Sequence, residues 1–355
     1  MATRAPRPDS GRGVVSHERA VRSGAPRILA GWTVESEEQV DQVGETGVSV
    51  RLQKSRVRHA SGLVVTRKYV PCVAGPPVVL VHGFAQNRYT WHGSTRSMSA
   101  WLAGEGYDVY VLELRGHGLS REAAAPQRFS DYLDDAVALA GAIAEPAFWL
   151  GHSLGGAVAF SASSRVAMRG IVGIAPVYRF AQANRFLKWI ARLSHLTGTR
   201  GVLGGVNVRT RLVGQILSRL YEVSDVAGYA FPVSGWAPGS IEPELLAERL
   251  DHGFDWASLH VWLDMARWAH EDEVEYAAEW GRSDVPLLVV TGDLDHLTPP
   301  ADCHVAFAGC GAADRTLLDL EPWNTGRHWG HLDLISGTHA AEHVWRPVSA
   351  WLGAR

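Results

Sequence analysis

Cysteine is scarce in this chain of 355 residues, with only Cys72, Cys303 and Cys310. They form no Cys-x-x-Cys pair and no His/Cys spacing suited to a metal ion. The expectation is therefore free thiols in a reducing, cytoplasmic setting. Excess charge is also lacking: the formal net charge is −3, which gives no electrostatic reason to expect nucleic acid or an anionic membrane as partner. No apolar run reaches the length of a bilayer span, so no integral membrane segment is expected. Internal repeats are absent. Residues 1–27 have almost no large apolar side chains, but they carry Arg4, Arg7, Arg12, Arg19, Arg22 and Arg27. Such a stretch cannot bury enough surface to offset its ordering entropy. It also lacks the apolar core of a secretory signal, and we read it as a disordered, Arg-rich tail.

The remainder has what a folded core needs. Hydrophobic residues make up 46% and charged residues 20%. Short apolar runs recur at Val78–Val81, Tyr107–Leu114, Ala147–Leu150, Ile171–Ala175, Pro286–Val290 and Thr316–Leu320. Runs without polar alternation suit strands covered on both faces, as in a parallel sheet. Between them, Ser94–Glu105, Phe129–Glu145, Leu154–Arg169, Pro299–Ala308 and Leu332–Leu352 predict crossover helices. Upstream, Val48–Val57 and Leu63–Val70 read as a hairpin around Ala60-Ser61-Gly62. The fold class is α/β, a doubly wound and mostly parallel sheet. One stretch interrupts the alternation. Residues 179–283 are helix-rich and aromatic, with Phe180, Phe186, Trp189, Tyr221, Tyr229, Phe231, Trp236, Phe254, Trp256, Trp262, Trp268 and Trp280. They are far too long for an ordinary connection. The expected organisation is a core of residues 28–178 and 284–355, with residues 179–283 inserted as a helical cap. Most of these aromatics are expected simply to pack the cap onto the core.

Gly151-His152-Ser153-Leu154-Gly155 fits G-x-S-x-G. Alone it is weak, since such a pattern arises by chance in roughly a quarter of chains this rich in glycine. Its context strengthens it, because it follows one predicted strand and opens one predicted helix. A serine on so tight a turn is held strained, its Oγ projecting above the sheet. Gly151 and Gly155 are needed where a Cβ would clash, and His152 completes the elbow. A serine hydroxyl needs an adjacent base, and the base needs a third group to fix its tautomer. The strand ending at Val290 leads into Gly292-Asp293-Leu294-Asp295. Of its two acids Asp295 is favoured, with Asp293 as a turn residue. Among His328, His331, His339 and His343, only His331 occupies a Gly-His loop just before the last predicted helix. His328 is the runner-up, and the His339/His343 pair reads as a solvated helix face rather than a metal site. Backbone N–H groups of Leu154 and Phe84 would form the oxyanion hole. His82 and Gly83 would shape the turn, and Arg115–Ser120 would serve as scaffold.

Taken together, His82-Gly83-Phe84, Arg115-Gly116-His117-Gly118, Gly151–Gly156, Gly292–His296 and Gly330–Asp333 resemble the α/β-hydrolase superfamily in content and order. The closing segment is similar to that of acid lipases and polyhydroxyalkanoate synthase-like hydrolases. The synthases carry cysteine at the elbow, so Ser153 favours hydrolysis. The resemblance implies a serine hydrolase with no metal or other cofactor, but substrate identity does not carry over from it; the apolar inserted stretch instead favours a small-molecule carboxylic ester that is apolar or lipid-like. Acyl transfer and carbon–carbon bond hydrolysis use the same triad, and a non-catalytic binding protein of this fold is a third reading.

Overall fold

The structure is a computed structural model and describes residues 29–73, 75–126, 128–198, 207–209 and 235–355. The Arg-rich tail and Tyr221, Tyr229 and Phe231 of the inserted stretch lie outside the described residues.

Strands β1 (Trp32–Val43), β2 (Ser49–His59), β3 (Val64–Tyr69), β4 (Pro77–Val81), β5 (Asp108–Glu113), β6 (Ala147–His152) and β7 (Met168–Ile174) precede the long insertion. A short pair, β8 (Asn207–Arg209) and β9 (Trp256–Ser258), lies within it, and β10 (Leu287–Gly292) and β11 (Arg315–Leu320) come after it. The main sheet has the order β1-β2-β3-β5-β4-β6-β7-β10-β11. From β5 to β11 every neighbouring pair is parallel. The three N-terminal strands join antiparallel at the β5 edge. The mostly parallel α/β sheet expected from the sequence is therefore present.

Alternate residues of the central strands enter two separate cores. Val79, Val81, Trp149, Ile171 and Val289 face one, together with helices α2 (Ser130–Ala142) and α3 (Leu154–Ala162). Val78, Leu80, Phe148, Leu150, Val172 and Leu288 face the other, under α1 (Met98–Gly104) and the C-terminal Trp345 and Trp351. This burial on both faces explains the unbroken Val/Ile/Leu runs.

Several boundaries differ from expectation. The helix expected over Ser94–Glu105 starts at Met98, because Ser97 caps it through the Ala100 N–H. The helix expected over Leu154–Arg169 ends at Ala162, and Met168 and Arg169 already belong to β7. The Ser163 and Ser164 hydroxyls donate to the carbonyls of Phe160 and Ser161, a local alternative to further helix. The helix expected over Leu332–Leu352 is broken into Asp333–Ser336, a wide turn at Ala341–Trp345, and Arg346–Gly353. Gly337 is extended at the break, and the wide turn then runs on into Arg346–Gly353 with helical backbone at Trp345 and Arg346. Strand β1 is not apparent from the sequence, because its residues, rich in Glu and Gln, are mostly exposed. Cross-strand ion pairs such as Lys54–Glu38 and Arg51–Asp41 help hold it to β2.

The stretch between β7 and β10 contains α4 (Arg185–Gly198), α5 (Pro243–His252), α6 (Leu259–Glu271) and α7 (Ala277–Trp280). The β8–β9 ladder adds a short strand pair to a stretch expected to be helix-rich. Its aromatics fasten it to the core. Trp280 stacks on Phe160 of α3 at 4.3 Å and donates its indole N–H to Ala306 O, and Trp268 meets Phe129 edge-on at 4.8 Å. Trp189 and Phe186 depart from the packing expectation, standing 61% and 40% exposed on α4.

Candidate active site

Three loops leave the sheet at its C-terminal edge and converge. Strand β6 ends at His152 and α3 begins at Leu154, which leaves Ser153 alone to make the turn. Its backbone sits at φ 55°, ψ −121°, a strained conformation for a residue with a Cβ. A Cβ on Gly151 would run into the Gly155 carbonyl, and one on Gly155 into Val81 O. Both glycines are thus required by the close approach of strand, turn and helix.

The loop after β10 carries Asp295, and the loop after β11 carries His331. His331 Nδ1 lies 2.7 Å from Asp295 Oδ2, with both side chains buried. The other carboxylate oxygen accepts the N–H groups of Leu297 and Thr298, each at 2.8 Å. Thr298 Oγ1 lies 2.9 Å from Asp295 Oδ2 and 3.2 Å from His331 Nδ1, so the carboxylate has one orientation open to it. His152 links this pair to the serine turn. Its ring centroid is 4.4 Å from that of His331, and its Nε2 is 3.1 Å from His331 O. Burial drives His152 well below the usual histidine range, so it is neutral. The hydrogen bonds of the His331 ring run to Asp295 and Thr298, and none runs to Ser153.

The runner-up residues form a pair of their own. Asp293 Oδ2 lies 2.5 Å from Nδ1 of the exposed His328, and Asp293 Oδ1 accepts the Trp329 N–H. This pair pins the two loops together from outside. His343 is half-buried against Trp329, at 5.7 Å, and not a freely solvated face as expected.

Leu154 is the first residue of α3, so its N–H has no acceptor within the helix. Phe84 lies in the turn after β4, and Gly83 is close enough to Ser153 that a Cβ there would sit 3.0 Å from the serine Cβ. His82 braces this turn: Nδ1 lies 2.9 Å from Gly83 O, and Nε2 accepts the Leu114 N–H. Burial pushes His82 down to about 3, in keeping with a neutral brace. In the Arg115–Ser120 turn, Arg115 pairs with Asp135, His117 lies 2.8 Å from the Tyr132 hydroxyl and Ser120 donates to Glu113 O.

Two further residues have roles that the sequence reading missed, Arg249 without any signal and Asp333 although it closes the Gly330–Asp333 motif. Arg249 of α5 is fully buried and donates to the carbonyls of Tyr89 and Thr90 and to Ser336 Oγ, at 2.9, 2.8 and 3.1 Å. Its Nη2 also lies 3.5 Å from Gln86 Oε1. It thus ties the insertion to the segments beyond Phe84 and His331. Burial lowers it to about 10. Asp333 Oδ2 accepts the N–H groups of Gly330 and Ala237, bracing the histidine loop against the insertion. Burial raises it to about 7. A buried arginine in a helix of mixed charge looks in sequence like any surface arginine.

Known proteins share this fold and much of this sequence. A family model described as serine aminopeptidase, S33, matches residues 76–225. The chain is 34% identical over 263 residues to a pimeloyl-[acyl-carrier protein] methyl ester esterase of Xanthomonas oryzae, covering 74% of this chain and 92% of that protein. The crystal structure of a monoacylglycerol lipase from Paleococcus ferrophilus superposes with a TM-score of 0.59 at 18% identity, covering 82% of this chain and 98% of that one. A thermophilic esterase from Thermogutta terrifontis superposes with a TM-score of 0.53 at 17% identity, covering 89% and 98%. By its sheet, the order of its loops and its sequence likeness over most of its length, the chain belongs to the α/β-hydrolase superfamily.

Proposed function

We propose that this ester-hydrolysing enzyme works through Ser153 as nucleophile, His331 as base and Asp295 as the acid that orients the base. The observation that carries the reading is the buried 2.7 Å contact of Asp295 with His331, set beside a serine at positive φ. His331 takes the hydroxyl proton as Ser153 Oγ attacks the ester carbonyl, and Asp295 at Nδ1 holds the tautomer and stabilises the imidazolium. The oxygen that gains negative charge faces the Leu154 and Phe84 N–H groups. The alcohol leaves with the proton from His331. A water deprotonated by His331 then hydrolyses the acyl-enzyme.

The substrate proposed is an apolar acyl ester, and residues 179–283 act as a cap over the acyl site. Two contacts support the cap's place. Asp255 N donates to Ala85 O beside the oxyanion turn, and Leu332 N donates to Gly235 O beside the base. Apolar character comes from Phe84, whose ring lies 6.1 Å from Trp262, itself 5.7 Å from Phe180. The Xanthomonas relative is named for the methyl ester of a pimeloyl chain, which favours an acyl ester here too. Hydrolysis of p-nitrophenyl esters of graded chain length tests this reading, with activity expected to rise from acetate toward medium-chain esters.

A further inference from the structure

A second polar cavity lies away from the serine turn, between β2, β3 and the short helical turn Arg88–Thr90. It has a volume of about 140 Å³ and is lined by Lys54, Arg56, Lys68 and Arg88, together with Thr66, Gln42 and apolar or aromatic neighbours. None of the residues lining it is a carboxylate.

The charges around this cavity do not balance. Lys54 pairs with Glu38 at 2.8 Å and Arg88 with Glu113 at 3.3 Å. Lys68 is 2% exposed, and its ammonium reaches the Ser99 hydroxyl at 2.8 Å and lies 3.4 Å from His92 Nδ1. Neither of those is an anion. Arg56 has no ion pair among the described residues. In the β2–β3 ladder Lys54 stands directly opposite Lys68, and Arg56 opposite Thr66. Like charges placed directly opposite each other destabilise a sheet, and a buried ammonium without a counter-charge is costly. The buried Gln42 Oε1 also has no hydrogen-bond partner, and the amide turned over would present N–H groups instead. Lys68 is lowered to about 7, first by burial and then by Lys54 and Arg88. His92 is held far below its ordinary value by burial and by the same cations. Burial leads both shifts, and the neighbouring cations add to each in the same direction.

We propose that this cavity is a binding site for a small phosphate-type oxyanion, held by Lys68, Arg56, Arg88 and Lys54 with the Thr66 hydroxyl. Donors arriving from two strands and a loop suit a tetrahedral oxyanion, with oxygens on all sides, better than a planar carboxylate. The volume is about five water volumes, enough for one phosphate group and too small for a nucleotide base and sugar as well. The phosphate is either free or the end of a monoester; the chemistry recognised is the same.

Calorimetric titration of the full chain with inorganic phosphate, in low-chloride buffer at about pH 6 where Lys68 is protonated, tests the site. One saturable site per chain is expected. Methyl phosphate should bind as inorganic phosphate does if the monoester is accepted, and more weakly if only the free ion is; acetate and chloride at equal ionic strength should bind at least about tenfold more weakly. Arg56→Gln and Lys68→Met should each weaken phosphate binding about tenfold or more, as expected for a lost charge-assisted bond. Arg51→Gln, on the exposed edge of β2, should leave it unchanged. Lys68→Met should also raise Tm in phosphate-free buffer, because it removes the uncompensated charge. Absence of saturation, equal binding of chloride, preference for acetate, or undiminished binding in Arg56→Gln would each overturn the proposal. Arg56→Gln decides the matter should Lys68→Met fail to fold.

Discussion

Asp295 Oδ2 lies 2.7 Å from His331 Nδ1 in a buried pair, while two residues earlier Asp293 Oδ2 lies 2.5 Å from Nδ1 of the exposed His328. The same loops thus supply two Asp–His pairs, and burial separates them. Only the inner pair is shielded from water and next to the serine turn. Asp295→Asn should lower kcat by roughly 10³-fold or more, because the wrong histidine tautomer is then favoured. Asp293→Asn should cost far less, since it loosens a surface link. Steady-state kinetics of the two variants decide between them, and the reverse ranking would transfer the role to Asp293.

Arg249 offers a test of loop positioning. Removing its guanidinium leaves the Tyr89 and Thr90 carbonyls without their donor, a loss of about 1–3 kcal/mol for a buried polar group. Arg249→Met should therefore lower stability to denaturant and, if the turn at Phe84 forms the proposed oxyanion site, reduce kcat more than it raises KM, because the segment bearing those carbonyls follows closely on that turn. A variant with unchanged kcat would show that the turn keeps its shape without this arginine.

Asp333 is expected to make stability depend on pH. Its native value, raised to about 7 chiefly by burial, stands above the ordinary carboxyl value of 3.8. The folded state therefore holds the proton more tightly than the unfolded chain does. The stability this provides is complete below about pH 4 and is lost as pH rises toward about 7. Asp333→Asn keeps an oxygen to accept from Gly330 and Ala237 but does not ionise. Chemical denaturation across that range should show a steeper decline in the wild type than in the variant, where the other buried carboxyls Glu113, Asp135, Asp264 and Asp302 still titrate. Parallel profiles would remove Asp333 as the cause.

The sheet is legible in the sequence because Val78–Val81 and Ala147–Leu150 have no reason to be continuously apolar unless covered on both faces. The serine turn is legible because its glycines answer to a steric need at fixed spacing. The features that escape a sequence reading depend on distant partners. Strand β1 is stabilised by β2 and by ion pairs rather than by its own pattern. The break at Gly337 overrides a helical periodicity that runs straight through it. Arg249 acts through burial, which no local pattern announces, and the Gly330–Asp333 motif marks Asp333 without revealing that its carboxylate braces the loop. The choice of Asp295 over Asp293 rests on likeness to a family rather than on any property of the loop itself.

The proposed cap makes a graded prediction. Burying each methylene of an acyl chain beneath it should contribute about 0.8 kcal/mol. kcat/KM should then rise from acetate toward medium-chain p-nitrophenyl esters. Trp262→Gln should flatten the rise while leaving acetate hydrolysis largely intact. A specificity profile that is flat or falls from two to about eight acyl carbons would exclude an apolar acyl site.

Stoichiometric labelling by a fluorophosphonate, read by intact mass and peptide mapping, probes the nucleophile itself. Such reagents capture a serine hydroxyl only when a neighbouring base and oxyanion site activate it. One adduct per chain is expected on Ser153, lost in Ser153→Ala and in His331→Ala while both variants stay folded. Labelling at another residue, or esterase activity within about tenfold of wild type in Ser153→Ala, would contradict the assignment of Ser153 as nucleophile.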